Sequence, residues 1–565
     1  MARITIDGKQ FETDNGRTII EAAREQGIEI PHFCWHPKLS VSGNCRMCLV
    51  EVEKLPKLVI ACATQVSDGM VVHTNNPKVI TARKAVMEFL LINHPLDCPI
   101  CDEAGDCKLQ NYAYDHSIGY SRFDEDKVHK PKRVDLGPHV VLDAERCIMC
   151  SRCVRFCDEI ARKPQLTFTQ RGDHVQLTTF PGERLDNPYS MNTIDICPVG
   201  ALTSKDFRFK ARVWELSSTE TVCPGCARGC NMLVWVRNNE ILRQTPRFNP
   251  DVNDYWMCDY GRLNTFRQVH AETRIKAPVM KKESGPVEVG WDEAIALVAS
   301  EFKGFKKSQI AVIGSAYATN EDNFLVQKFA REVLGTKFID FLRHDLDGDE
   351  DDLLIRADKS PNGRGAMEVG MQPGNAASGF EGIVRGIKEG QIKALYVIED
   401  NIAADPLVAQ SLSRIDYLVV HSPVENETTR LADVVFPAST YAEKNGTFVN
   451  FQGRVQRIRP AVATLEQDRA TDGFAMSRLD MFGSPFDRWA KGAKIDARPT
   501  WRIIAGIASL MGVKYRYASA EEVFNELAST LEAFKGMSYR KIGVRGVALH
   551  LPKVQAPAAP MHISR

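Results

Sequence analysis

Cysteine is the residue with the most chemistry to offer here: there are sixteen, and the last stands at position 258 of 565. Fifteen of them, with one histidine, fall into four spaced groups. The first is Cys34, Cys45, Cys48 and Cys62, and the second His94, Cys98, Cys101 and Cys107. The third is Cys147, Cys150, Cys153 and the distant Cys197, and the fourth Cys223, Cys226, Cys230 and Cys258. Only Cys157 is left over. Thiolates grouped in this way hold metal, and the spacings favour iron–sulfur clusters over zinc. Several clusters in one chain read as a path for single electrons.

Each group has a rival reading. In the first, three ligands share a Gly-containing loop and Cys62 comes from a separate strand end, as in plant-type 2Fe–2S ferredoxins, although their first gap is shorter. Gly43 would let that loop bend its amides toward sulfur. Zinc or buried free thiols are the alternatives. In the second group, His94 takes the place of a fourth ligand; neutral imidazole in place of thiolate changes the charge and potential of a 4Fe–4S cluster. Taken alone, this group could equally bind zinc. The third group, Cys147-Ile-Met-Cys150-Ser-Arg-Cys153 with Cys197-Pro198, is a 4Fe–4S pattern. Cys157 stands where two-cluster ferredoxins place a ligand of their other cluster, but no second run accompanies Cys197, so Cys157 reads as a buried spectator. In the fourth group Gly225 and Gly229 leave the backbone room to wrap a cubane, and its three-residue gap departs from a zinc ribbon.

The elements that must position these residues are legible in part. Arg3-Ile-Thr-Ile and Lys9-Gln-Phe-Glu-Thr around Asp7-Gly8 predict a hairpin. A helix from Thr18 stops at Gly27, and Lys57-Leu-Val-Ile-Ala predicts a strand running into Cys62. A helix over Val79–Ile92 must end near His94, because Pro95 disfavours helical geometry before it. Residues 138–215 and 219–270 form two further units, the latter with a hairpin at Met232–Leu242 turning on Asn238-Asn239. From about 285, helices (Trp291–Phe302, Asn320–Leu334) alternate with strands (Gln309–Gly314, Leu395–Ile398, Asp416–Val420), which predicts an α/β region with partly parallel strands. The alternating acids Asp345, Asp347, Asp349 and Asp351 lack the glycine and closing glutamate of a calcium loop and read as a solvated turn. The tail Pro552–Arg565 reads as a loose end.

Composition sets broad limits. Lys and Arg number 72, as do Asp and Glu, so nothing points to nucleic acid or an anionic lipid surface. A secretory signal and a membrane-spanning run are both lacking, which predicts a location where clustered thiols mean metal, not disulfides. No phosphate loop, GxGxxG or Ser–His–Asp signature is present, so no flavin, nicotinamide or catalytic site is expected.

With these groups in place, the chain resembles the large iron–sulfur subunit of respiratory NADH:quinone oxidoreductase (complex I), over residues 1 to about 460. The resemblance implies one 2Fe–2S cluster on Cys34, Cys45, Cys48 and Cys62, and three 4Fe–4S clusters on the other groups, the last found only in some bacterial members. The segments Ala432–Pro437 and Glu443–Gln456 are similar to a pterin-contacting loop of molybdopterin oxidoreductases. No cysteine follows Cys258, and Tyr260 replaces a basic residue common in that superfamily, so no molybdenum is expected. The implied fold class is multidomain α+β and α/β. A β-grasp 2Fe–2S ferredoxin-like domain (1–76) precedes a histidine-ligated 4Fe–4S domain (77–117) and a 4Fe–4S ferredoxin-like domain (138–217). A 4Fe–4S domain of molybdopterin-oxidoreductase type (218–274), a degenerate molybdopterin-oxidoreductase-like domain (275–480) and a C-terminal extension (481–565) follow.

The function so implied is electron relay without a substrate site. A flavin-bearing, NADH-oxidising partner would deliver electrons to the first site, and the third and then the second would carry them toward quinone-linked subunits. The fourth lies off that path with a structural role. The chain would sit peripherally on the cytoplasmic side of the inner membrane, reaching the membrane only through partners. The alternatives are an NAD-linked formate dehydrogenase-like molybdenum subunit, an iron-only hydrogenase, which needs further C-terminal cysteines, and a zinc-stapled scaffold.

Overall fold

Asp7 and Gly8 have positive φ angles, 47° and 81°, the geometry of a two-residue turn matched to strand twist. They join strands Ala2–Ile6 and Lys9–Thr13 in an antiparallel hairpin. In the computed structural model, which describes residues 1–466 and 492–550, that hairpin opens the first of two compact units, Met1–Leu216 and Ser217–Arg565.

The hairpin belongs to a five-stranded sheet ordered Lys9–Thr13, Ala2–Ile6, Val71–His73, Leu49–Val52, Val59–Ile60, with Ala2–Ile6 parallel to Val71–His73. Ile4 and Ile6 alternate inward and share a core with Ile19, Ile20, Ala22 and Ala23 of helix Ile19–Glu25. The strand before Cys62 is shorter than its sequence predicts. Only Val59 and Ile60 find partners, opposite Val50 and Leu49, and the chain then turns, with Ala63 and Thr64 N–H donating to Ile60 O.

Helix Pro77–Ile92 begins with Asn76 accepting from Val79 N–H at 3.0 Å and ends at Asn93, ahead of Pro95. Farther on, Val140–Leu142 pairs antiparallel with Leu202–Ser204, Leu142 opposite Leu202, and Asp143 N–H donates to Ala201 O at 2.8 Å. This pairing brings the run beginning at Cys147 beside Cys197.

The second unit starts with a three-stranded meander, Ser217–Val222, Asn231–Arg237 and Glu240–Pro246. Its second turn is Asn238-Asn239, both at positive φ. A seven-stranded sheet follows, ordered Gly285–Glu288, Val279–Lys282, Val434–Pro437, Tyr417–Ser422, Ala394–Ile398, Ile310–Ser315, Phe338–Leu342. The last five are mutually parallel, and all six residues of Ile310–Ser315 and of Tyr417–Ser422 are buried, as a sheet covered on both faces requires. Chain order reverses at Ile310–Ser315, whose neighbours lead to opposite edges; ligand clefts form at the carboxyl ends of strands at such a switch point. The helix from Asn320 keeps regular spacing to Lys328 and then widens, Leu334 N–H bonding back to Phe329 O at 3.0 Å. The chain is thus multidomain, with mixed helices and sheets. The expected boundary at 480/481 and the tail Pro552–Arg565 lie outside the described residues.

Candidate metal centres

The first thiol group forms around an irregular loop. Gly43 adopts φ +63°, and a Cβ there would lie 3.1 Å from Ile60 Cδ1, so both conformation and space favour glycine. Cys34 N–H donates to Cys45 Sγ at 3.4 Å. The thiol of Cys34 hydrogen-bonds those of Cys45 and Cys62, and the thiol of Cys62 also bonds that of Cys48. Cys34 is held below the ordinary thiol value by its hydrogen bonds with Cys45 and Cys62. Those two are pushed up, chiefly by the same hydrogen bonds.

In the second group, Cys107 caps helix Lys108–His116 and its sulfur accepts from Gln110 N–H at 3.4 Å, a helix terminus that favours thiolate. Burial still pushes its thiol up to about 11. Cys98 is exposed and Cys101 buried. Gly200 is pressed so closely on this site that a Cβ there would run into Cys101 Sγ. His94 sits just past the end of the long helix, its imidazole held neutral, down at about 4, by burial and then by Arg146. The charges of Arg146, Lys127, Asp97 and Lys132 also act on it.

The third group lines a single apolar cavity. Cys147, Cys150, Cys153 and Cys197 face it together with Ile148, Phe168 and Leu177, around a small space of about 10 Å³. Cys157 is buried yet is not among the lining residues. Burial pushes Cys147 up to about 12 and Cys153 and Cys197 well above the ordinary thiol value.

The fourth group is drawn together by Cys223 N–H donating to Cys230 O at 2.8 Å. Gly225 N–H donates to Cys223 Sγ at 3.4 Å and Gly261 N–H to Cys258 Sγ at 3.3 Å. A Cβ on Gly261 would come within 3.0 Å of Cys223 Sγ and 3.3 Å of Cys258 Sγ. Burial raises Cys223 and Cys230 far above the thiol value, and Cys258 to about 12.

Neutral thiols crowded in apolar surroundings become good ligands only when a cation compensates their ionisation. These donor sets, with glycines at the closest approaches and N–H groups aimed at sulfur, fit sulfur-ligated iron. Among the described residues, no three His, Cys, Asp or Glu side chains are already gathered around a single-ion site.

The sites of the first unit are tied in sequence by polar contacts that cysteine spacing could not reveal. Between the first and third, Arg155 donates to Cys34 O at 2.5 Å and to Cys150 O at 3.3 Å. Asn44 Nδ2 donates to Met149 O at 2.9 Å, and Arg152 donates to Trp35 O and Ile196 O. Between the third and second, Lys108 N–H donates to Pro198 O at 3.1 Å. Arg146, beside Cys147, pairs with Asp97, beside Cys98, at 2.9 Å. Of the basic residues making these contacts, only Arg152 lies inside a ligand run, between Cys150 and Cys153.

In the second unit, a cavity of about 470 Å³ opens at the carboxyl ends of the parallel strands, lined by Tyr260, Tyr317, His344, Glu399, Asp400 and Ser422 among others. His344 Nε2 lies 3.0 Å from Asp400 Oδ2. Its lining offers nitrogen and oxygen donors and no thiol. Of these lining residues Tyr260 alone carried a sequence signal; the rest are brought together by strand order.

Against known families, the chain matches the 2Fe-2S iron-sulfur cluster binding domain over residues 1–77 and the NADH-ubiquinone oxidoreductase-G iron-sulfur binding region over 83–122. It matches the ferredoxin-like domain of NADH-quinone oxidoreductase subunit 3 over 137–203. The molybdopterin oxidoreductase Fe4S4 domain and the molybdopterin oxidoreductase domain match 216–268 and 357–470. The G subunit of the NADH-quinone oxidoreductase of Rickettsia bellii is 41% identical over 333 residues, covering 59% of this chain and 48% of that protein. The chain is homologous to the G subunit of NADH-quinone oxidoreductase.

The G subunit of Streptomyces coelicolor is 40% identical over 63% of this chain and 42% of its own length. The mitochondrial NADH-ubiquinone oxidoreductase 78 kDa subunit of Neurospora crassa is 44% identical over 53% of this chain and 40% of its own. The chain thus spans about half the length of the curated G-subunit relatives it matches. A solved NAD+-reducing [NiFe]-hydrogenase in the H2-reduced state is 33% identical, covering 38% of this chain and 91% of that one, at a TM-score of 0.34.

Proposed function

We propose that this chain is an electron-relay subunit of an NADH–quinone oxidoreductase. It would take single electrons from a flavin-bearing, NADH-oxidising partner and pass them toward quinone-linked subunits. A 2Fe–2S cluster would be held by Cys34, Cys45, Cys48 and Cys62. Three 4Fe–4S clusters would be held by His94 with Cys98, Cys101 and Cys107, by Cys147 with Cys150, Cys153 and Cys197, and by Cys223 with Cys226, Cys230 and Cys258. When bound, such clusters supply one-electron oxidation and reduction.

The observation that carries this reading is the chain of contacts just described: the third thiol site lies between the first and second and is bonded to both. The chain's own part is to hold the thiolates, keep water from them and set the order of the sites. The fourth group belongs to the other unit, and its role is structural. No substrate, pterin, molybdenum or nucleic acid enters this reading. In this reading the chain meets the cytoplasmic face of the inner membrane through its partners. No helix among the described residues is long and apolar enough to cross a membrane.

Iron and acid-labile sulfide counts on the purified full chain, with low-temperature EPR after dithionite reduction, test the reading. Signals of one 2Fe–2S centre and of 4Fe–4S centres are expected. Stoichiometric zinc, with no paramagnetic signal, would overturn it.

A further inference from the structure

Arg152 stands between Cys150 and Cys153 and is only 5% exposed. Its guanidinium donates to Trp35 O at 2.6 Å and to Ile196 O at 3.1 Å, carbonyls next in sequence to Cys34 and Cys197. Its Nε has no hydrogen-bond partner. Among the described residues no carboxylate pairs with it; its charge acts on the thiols of Cys150, Cys197, Cys34 and Cys45, and also on Lys108, His32 and His36, none of which can offset it. Carbonyls satisfy its N–H groups but do not cancel its charge. A buried guanidinium without a counter-ion is strongly unfavourable, so this position makes sense only beside negative charge that the protein's carboxylates do not supply. Thiolates of Cys150 and Cys197 in the third site, and of Cys34 and Cys45 in the first, can supply that charge, and they belong to two different sites.

We propose that Arg152 is a positioning residue shared by the first and third thiol sites, and that its fixed positive charge raises the reduction potentials of both centres together. The inference rests on the ligand assignment proposed above. A cation near a redox centre favours the added electron, and its effect is large where the dielectric is low. One guanidinium set between two centres therefore keeps their potentials moving in step. Neighbouring groups differ in this respect. Arg146 is tied to Asp97 and Asp143, which offset its charge. Arg83 is also buried, but it donates to Leu49 O at 3.1 Å and faces Cys48 first, so it addresses the first site alone.

The test is an EPR-monitored redox titration of the cluster-loaded full chain, in wild type, Arg152→Gln, Arg152→Lys and Arg83→Gln, each with its iron and sulfide content measured. Arg152→Gln should lower the midpoint potentials of both the 2Fe–2S centre and the third-site 4Fe–4S centre. Arg152→Lys should restore most of both shifts, and Arg83→Gln should lower the 2Fe–2S midpoint alone. A fully loaded Arg152→Gln chain with either midpoint unchanged would overturn the proposal. So would an Arg152→Lys chain whose midpoints fall as far as those of the Gln variant, because geometry and not charge would then be responsible. Should Arg152→Gln not retain iron, the Lys variant decides: wild-type midpoints support the proposal and two lowered midpoints sink it. Wild-type chain without clusters defeats the functional reading itself, an outcome distinct from all of these.

Discussion

Two buried cations show how differently the two units are built. In Ser217–Arg565, Lys444 is 2% exposed and meets Asp322 at 2.9 Å and Glu399 at 2.9 and 3.0 Å. Thr500 Oγ1 donates to Glu399 at 2.9 Å and lies 3.1 Å from His421, which lies 2.7 Å from the Tyr396 hydroxyl. In Met1–Leu216, Arg152 is buried almost as deeply and meets carbonyls only. Apart from its thiol group at Cys223–Cys258, the second unit balances Lys444 with its own carboxylates. The first contains a charge that balances only when its thiols are ionised, and thiols ionise in such surroundings when metal binds. One α/β core is self-sufficient; the front of the chain is built around something it must acquire.

Removing iron should break this comparison open most widely. Chain prepared without iron, followed by hydrogen exchange, should lose protection in the loops bearing Cys34–Cys48 and Cys147–Cys153, while the strands Ile310–Ser315 and Ala394–Ile398 stay protected. Equal loss in both units would abolish the contrast.

The next largest effect should come from Lys444→Met, which strands Asp322 and Glu399 as buried carboxylates and should cost about 3–5 kcal/mol. Thermal unfolding of the second unit should move down accordingly, with iron bound by the first unit unchanged. An unshifted transition would mean the network is dispensable.

A third test uses pH. Glu321 is fully buried, and desolvation raises its carboxyl from 4.5 to about 7 despite hydrogen bonds from Thr447 and Tyr539. The folded state therefore binds the proton more tightly than the unfolded chain. That stability is complete below pH 4.5 and is lost as pH rises through 7, an effect of about 3 kcal/mol. Glu321→Gln should flatten this dependence of the melting temperature between pH 5 and 8. A variant with the wild-type slope would assign the titration to another group.

The smallest change should be Cys157→Ser. The residue is buried but does not line the cavity of the third site, so a loss of about 1 kcal/mol with unchanged iron content is expected. Loss of iron would make Cys157 a ligand and reopen the assignment of Cys197.

Much of the fold was legible because its signals are local. Asp7-Gly8 and Asn238-Asn239 needed only their own backbone preferences to mark hairpins, and Pro95 alone limited the helix before His94. The strand before Cys62 was overestimated because strand length depends on a partner, and only Val59 and Ile60 have one. The widened turn at Phe329–Val333 likewise left no periodic trace. Site residues follow the same division. Cysteine spacing shows which thiols act in one loop, since a short gap cannot carry them far apart.

Ligand groups and their order along the chain are therefore sequence properties: few side chains bind iron, and near neighbours share a site. Which site touches which is another matter. The pairing of Leu142 with Leu202 places Cys197 beside Cys147, and the fold around it sets Arg152 on the carbonyl of Trp35, 117 residues away in sequence. Likewise the order of the parallel strands, not any motif, opens the cavity beside Glu399 and brings Lys444 to Asp322. Long-range contacts of this kind are set by packing and hydrogen bonding across the fold, and only the tertiary structure could decide them.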